Sequence, residues 1–245
     1  MLRRAAEAVI YHPDLTEPRG LKRLSVRANQ VLFEHAVRPP WIWTAQQCRE
    51  YWASQADGVN APVTYATKSQ AIVDVLHGFW QPEVQPGMSI LEVGCNAGAN
   101  LAGLHRHGYE HLAGVEINPN AIEQLHASFP ELPATITQGA LEDVLPTMAT
   151  NSVDVVFSMA VLIHVHPTSN AILEHMARIA RRYVCVTEAE ATTIGYIFAR
   201  NYRRAFERYG CAQRRAALLT RDAYPDVPDY WGYTARLLLA PDSPV

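Results

Sequence analysis

Two carboxylates and two glycines carry the clearest chemistry in this chain. Glu92 stands inside a short apolar run, Met88 to Val93, and Gly94 and Gly98 follow it in Gly94-Cys95-Asn96-Ala97-Gly98. Glycine lets a backbone turn sharply and lets a ligand approach with no Cβ in the way. Helical spacing resumes at Leu101 and Leu104, so the stretch predicts a buried strand, a tight turn and a helix start. The mouth of such a helix offers unpaired N–H groups and the positive end of a dipole, which suit an anionic group. About twenty residues beyond the turn, the interval at which an α/β nucleotide fold brings an acid to a sugar, comes Gly114-Val115-Glu116-Ile117-Asn118-Pro119. A carboxylate there can accept both hydrogens of a vicinal diol in charge-assisted bonds.

A glycine-rich strand-to-helix turn also serves dinucleotide-binding folds, but the middle glycine of G-x-G-x-x-G is missing here. The order hydrophobic-hydrophobic-acid-x-Gly-x-x-x-Gly, read in Ile90-Leu91-Glu92-Val93-Gly94-Cys95-Asn96-Ala97-Gly98, resembles the first motif of the class I methyltransferases that use S-adenosylmethionine (SAM). The resemblance implies SAM as cofactor, held by Glu92, Gly94, Asn96, Gly98, Glu116 and Ile117. A third stretch, Gln138-Gly139-Ala140-Leu141-Glu142-Asp143-Val144-Leu145-Pro146, stands where family members often show Gly-Asp-Ala-x-x-Leu-Pro, with the acid on the adenine amino group. Ala140 occupies the acid's place, so the adenine edge falls to backbone around Ala140 and Leu141 plus one side chain, Glu142 or Gln138. Ser158 and Met159, at the end of the fourth apolar run, are expected to touch SAM through backbone and apolar surface. Glu92-Val93-Gly94-Cys95-Asn96, the Glu116 stretch and Val161-Leu162-Ile163-His164-Val165-His166-Pro167 are together similar to methylases associated with pseudaminic acid biosynthesis, over roughly residues 50–190.

His164 and His166, two apart, point the same way if the chain is extended. A metal would need a third ligand, and none is signalled nearby, so no metal site is expected. Two readings of the pair stay open: a structural or helix-start role, and a base or substrate-orienting role, since imidazole titrates near neutral pH. His164, nearer the strand end, is the candidate base, with His166 beside the substrate. Glu188, in the polar cluster after the fifth apolar run, is the second catalytic candidate, against the reading of a solvated loop acid. Tyr51 and Trp52, with Trp41 and Trp43, form an aromatic group that either packs a cap onto the core or walls a substrate pocket. Tyr65, Arg200 and Tyr202 complete the substrate-binding candidates. Tyr65, with Thr67 and Lys68, begins a helix that in the resembled family often meets the methionine end of SAM. Arg200 suits a carboxylate or phosphate.

The elements that must position these residues follow from periodicity. Strands are expected near 88–93, 112–117, 134–138, 153–158 and 182–187, with helices near 98–107, 119–128, 141–149 and 169–181 between them. That alternation marks a parallel α/β sheet. An amphipathic helix, Ile197 to Tyr209, and two β-like runs, Cys211–Leu219 and Tyr233–Leu239, follow. The resemblance implies a Rossmann-like seven-stranded, mostly parallel sheet in which those last runs are an antiparallel pair. Helices are further expected over Leu21–Val37 and Thr64–Trp80, giving an N-terminal helical cap or substrate lid over 1–80 and a SAM-binding domain over 81–245.

At 245 residues the chain can bury a sizeable core, and a net charge of −3 leaves no electrostatic footprint for nucleic acid. The motif (Asn/Asp)-Pro-Pro-(Tyr/Phe) of many amino-group methylases is replaced by Ser158-Met159-Ala160-Val161. Four scattered cysteines with no C-x-x-C pair suit a reducing compartment. No signal peptide or membrane-spanning run is read, and a cytoplasmic protein is expected. The expected function is SAM-dependent O- or N-methylation of a small-molecule acceptor in specialised or sugar metabolism. The alternatives are a lyase or cyclase that cleaves SAM to methylthioadenosine, and a non-catalytic SAM-binding protein.

Overall fold

Five runs pair in parallel because the connections between them are long enough to carry helices, and the central ones are buried on both faces. The computed structural model describes residues 42–68, 70–190 and 193–243, without the side chains of residues 193 and 194. Its strands are β1 (Ile90–Val93), β2 (Leu112–Glu116), β3 (Ala134–Gln138), β4 (Val153–Met159), β5 (Ala180–Ala189), a small hairpin of β6 (Thr193–Ile194) and β7 (Ile197–Phe198), then β8 (Ala212–Leu218) and β9 (Tyr233–Leu239). The main sheet has seven strands in the order β3-β2-β1-β4-β5-β9-β8, with β9 antiparallel to both its neighbours. Strand order reverses on either side of β1, which pairs with β2 and β4, so a crevice opens at its carboxyl end.

The helices are α1 (Ala45–Ala53), α2 (Pro62–Ala66), α3 (Ala71–Trp80), α4 (Ala99–Arg106), α5 (Pro119–Ser128), α6 (Leu141–Val144), α7 (Ala171–Ile179) and α8 (Tyr202–Glu207). Alternation along β1 sends Ile90 to one face of the sheet, with Trp80 of α3 and Phe157, whose rings meet edge-on at 5.3 Å. Leu91 and Val93 go to the other face, with Ile172, Leu173 and Met176 of α7. Burying both faces drives the layers together. No helix among the described residues is long and apolar enough to cross a membrane.

The fold expected from the sequence is the one observed, with local differences that have physical causes. The helix expected over Thr64–Trp80 is broken between α2 and α3, where the Thr67 hydroxyl donates to the Val63 carbonyl at 3.0 Å and the chain bends. The helix expected from Ile197 starts only at Tyr202, because Asn201 caps it by accepting from the Arg204 N–H at 2.9 Å. Ile197 belongs instead to the hairpin, which turns through Gly195 at φ +56°. The helix expected over 141–149 stops at Val144, and the chain tightens into a 3₁₀ turn around Pro146, which lacks an N–H. The helix expected over Leu21–Val37, Trp41 and the first half of the expected cap lie outside the described residues.

Candidate functional site

A cavity of about 1020 Å³ opens at the carboxyl ends of β1, β2 and β4, roofed by α1 and α2 and closed on one side by residues 228–233. It lies at the top of the range of about 300–1,000 Å³ usual for small-molecule sites, which leaves space for two ligands. Its floor is the glycine turn. Gly94 sits at φ +73°, and a Cβ there would stand 2.5 Å from Val161 Cγ1. Gly98 sits at φ +74°, where a Cβ would meet Leu125 of α5 at 2.6 Å. Gly98 therefore packs the turn against α5, and its neighbours Ala97 and Ala99 face the cavity. Asn96 and Ala160, both lining the cavity, hold positive φ of 45° and 56°. Such backbone persists only where its surroundings over-determine it, and it clusters at ligand sites.

Glu116 is 6% exposed and lines the cavity. Its Oε2 accepts from the Asn96 N–H and its Oε1 from the Asn118 N–H, each at 2.8 Å. The two amides fix the carboxylate plane across the glycine turn, and each oxygen keeps a lone pair for a further donor. Burial pushes the Glu116 carboxyl up from its ordinary range, against the pull of the Asn118, Asn96 and Ile117 amides. Glu92 is deeper. Its Oε1 accepts from Asn100 Nδ2 at 2.6 Å, and its Oε2 is buried without a partner. Burial pushes its pKa up to about 8; Asn100 pulls it down and Glu116 pushes it further up. Ile117, Ala140, Leu141 and Met159 all line the cavity. Glu142 lines it too, whereas Asp143 turns to an ion pair with Arg49 of α1. A second tie from the roof runs from Asn118 Nδ2 to the Gln55 carbonyl, 2.7 Å.

The opposite wall is aromatic. Trp52 and His164 pack with ring centroids 4.6 Å apart, and Tyr196 of the hairpin lies 5.3 Å from His164. His164 Nδ1 is 3.1 Å from the Tyr196 carbonyl, so Nδ1–H donates and Nε2 carries the lone pair. Burial pulls the His164 pKa down to about 4, opposed by that backbone bond. His166 also lines the cavity, but its Nδ1 accepts from the Thr168 N–H at 3.3 Å, the geometry of a helix-start cap. Tyr65 lines the cavity, its hydroxyl donating to Asn60 Oδ1 at 2.9 Å.

Seven sequence candidates do not line the cavity: Glu92 and Gly98, already described, and five more. Glu188 is fully buried. Its Oε1 accepts from Ser158 Oγ at 2.5 Å and from the Val161 and Leu162 N–H groups, and its Oε2 from the Ile163 N–H. It shapes the loop after β4 and holds the Ser158 hydroxyl, and neither residue lines the cavity. Burial pushes its pKa up to about 7, with those donors pulling down. Arg200 is a staple: it donates to the carbonyls of Leu162, Val165 and Phe198 and to Asn170 Oδ1, so its guanidinium is occupied. Tyr202 is fully buried in the core beside Phe206. Tyr51 stands behind the wall, edge-on to Trp52 at 5.2 Å and accepting from Asn60 Nδ2 at 2.7 Å.

Sequence reading passed over Asn100, Tyr196, Tyr230, Trp231 and Tyr233 as wall residues. Asn100 alone had a local signal, lying two residues past Gly98. The others come from a two-residue turn and a Pro-rich loop, and only tertiary folding carries them here.

Residues 91–183 match the family model described as a methyltransferase domain. The comparison with curated proteins finds no match. Among solved structures, the chain is similar to a chain of the complex between the Haloferax volcanii Trm112 methyltransferase activator and a methyltransferase, with TM-score 0.61 and 17% identity over 81% of this chain and 98% of that one. It is similar to magnesium protoporphyrin IX methyltransferase from Synechocystis with bound SAM, with TM-score 0.59 and 18% identity over 82% and 99%. It also resembles geranyl diphosphate C-methyltransferase from Streptomyces coelicolor, with TM-score 0.55 and 12% identity over 69% and 75%. Residues 91–183 are thus similar to a methyltransferase domain, and the strand order and glycine turn give the chain the fold of the methyltransferases of known structure that it matches.

Proposed function

We propose that this chain is a SAM-dependent methyltransferase acting on a small-molecule acceptor, through O- or N-methylation. The observation that carries the reading is Glu116, whose carboxylate is held across the glycine turn by two amides with lone pairs to spare for a diol. The residues present fit the cofactor in three further respects. The unpartnered, buried Glu92 Oε2 suits an ammonium. A Cβ at Gly94 would close the turn onto Val161, which keeps the floor of the cradle free of side chains. Apolar Ala140, Leu141 and Met159 suit a flat base. SAM supplies a methyl group on a sulfonium that is already a good leaving group.

The protein's task is then to hold the acceptor in line and to receive a proton. Replacing an acceptor's X–H by X–CH₃ releases one proton. His164 is neutral across the physiological range with Nδ1–H committed to Tyr196, so Nε2 is the lone pair available on that wall. The described residues before 81 act as a cap that excludes water, tied down through Arg49 and Gln55. The placement in sugar metabolism rests on motif likeness over 50–190 alone. Calorimetric titration with S-adenosylhomocysteine tests the reading: E116A should weaken binding about 100-fold or more, the worth of two charge-assisted bonds. An unchanged affinity would overturn it. Chromatography of the nucleoside product separates methyl transfer, which leaves S-adenosylhomocysteine, from cleavage to methylthioadenosine.

A further inference from the structure

The cavity wall carries one ammonium that nothing among the described residues pairs. Lys68 stands in the bend between α2 and α3, with its Nζ 4.3 Å above the Tyr65 ring and 5.6 Å from the Tyr230 ring. Of the lining residues with permanently cationic side chains, Arg49 is already paired with Asp143. Among the described residues, no carboxylate lies within ion-pair distance of the Lys68 ammonium, and no acceptor takes its hydrogens. Asp229 faces it from the 228–230 turn and acts only through space, favouring the charge, while burial pulls the Lys68 pKa below its ordinary value. An ammonium offers three donors, and two aromatic faces satisfy none of them with an oxygen. A partly desolvated donor left without an acceptor is costly, and an anionic oxygen arriving with a ligand removes the cost.

The cofactor has other partners for its own charges. The Ala99 and Asn100 N–H groups at the mouth of α4 make no hydrogen bond among the described residues, and they face the cavity at the positive end of the helix. The buried Glu92 Oε2, without a hydrogen-bond partner, is an acceptor for the cofactor's ammonium. Beyond the cradle, the remaining space is walled by Trp52, Tyr196, Trp231 and Tyr233, together with Tyr65 and Tyr230 beneath the ammonium. Aromatic walls bind a flat or apolar body, and a lone cation at their edge reads one negative group on it.

We infer that the acceptor is an apolar, ring-bearing molecule carrying one carboxylate, and that Lys68 grips the carboxylate while the aromatic wall holds the ring. The inference rests on the cofactor reading above for which part of the cavity is free. The test is calorimetry on the full chain saturated with S-adenosylhomocysteine, titrated with 3-phenylpropanoate and indole-3-acetate and with their uncharged amides. The acids should bind about tenfold or more tighter than the amides, the worth of one charge-assisted bond. K68M should erase that preference and K68R keep most of it, with S-adenosylhomocysteine affinity unchanged in both. Equal binding of acid and amide overturns the inference, as does no binding by either acid. A tenfold loss of S-adenosylhomocysteine affinity in K68M also overturns it, because Lys68 would then belong to the cofactor. If the wild-type chain does not bind S-adenosylhomocysteine, the cofactor reading falls instead, and the same titrations without it still decide for or against Lys68.

Discussion

The two sides of the cavity are made of different material. The cradle at the ends of β1 and β2 is main chain and short acids: Glu116 is locked by two amides and Glu92 by Asn100, each within 2.8 Å. The facing wall is side chain, contributed by α1, the 58–68 segment, the β6–β7 hairpin and the 228–233 loop, none of them a strand of the parallel sheet. A cradle of backbone donors on strand ends has little freedom to drift, whereas an aromatic wall on connecting segments can be re-cut without touching the sheet. On the function proposed above, the contrast assigns the fixed partner to one side and the choice of acceptor to the other. Substitutions on each side should therefore fail in different ways.

The largest effect should come from a residue that belongs to neither side. Glu188 satisfies a hydroxyl and three backbone N–H groups under the loop that carries His164. E188A leaves those donors buried and unpaired, and should cost about 3 kcal/mol of stability, read as a lowered denaturant midpoint at unchanged slope. A full-stability E188A with lost turnover would instead return Glu188 to the catalytic role expected from the sequence.

Next in size is the cradle itself. G94V adds a branched side chain at φ +73° and within 3 Å of Val161. Left-handed backbone costs an ordinary residue roughly 1–2 kcal/mol before any clash. The variant should lose S-adenosylhomocysteine binding by at least about tenfold. The aromatic probes of the other wall should bind it, without S-adenosylhomocysteine, as they bind the wild type. Loss of both together would mean that the two sides are not separable.

Why the cradle was legible and the wall was not follows from sequence distance. Glu92, Gly94, Gly98 and Glu116 sit within 25 positions, and their roles depend on strand-turn-helix rules that act locally. The parallel strands and their helices were legible for the same reason, as regular alternation, while the seven-stranded sheet with its antiparallel pair came from the resemblance. Tyr196, Tyr230 and Trp231 lie on short turns whose place depends on where the whole sheet delivers them. Glu188 and Arg200 read as functional candidates or as solvated charges because an acid or a base after a strand looks solvent-facing in one dimension. Here the loop after β4 folds back and buries Glu188 completely, while Arg200 holds that loop through its carbonyls. Charged residues can be internal scaffolding when every donor and acceptor is met.

A smaller, pH-dependent effect separates the acids from the histidine. Glu92 and Glu188 have pKa values raised to about 8 and about 7 from 4.5, so each binds more protons folded than unfolded. Their stabilising contributions are full below pH 4.5 and are lost as pH rises through the folded values. His164, lowered from 6.5 to about 4, works the other way: its contribution is full above 6.5 and is lost as pH falls through 4. The window from pH 6.5 to 8 is free of the His164 term. There the melting temperature of the ligand-free protein should fall with pH, and E92Q should flatten the fall. An equal slope in E92Q would mean that the unpartnered Glu92 oxygen is already ionised.

The smallest expected effect probes the wall without needing an acceptor. His164 is kept neutral by desolvation, and Trp52 is the ring that covers it, at 4.6 Å. W52A admits water to that face while leaving the Tyr196 carbonyl on Nδ1. The imidazole midpoint, followed by NMR, should rise from about 4 part of the way toward 6.5. The neutral tautomer above the midpoint should stay the same, because the Nδ1–H bond that selects it is untouched. S-adenosylhomocysteine affinity should change less than in G94V, since Trp52 supplies no bond to the cradle. If the midpoint does not move, Tyr196 and the hairpin do the burying, and the wall is organised from the β6–β7 side rather than from the cap.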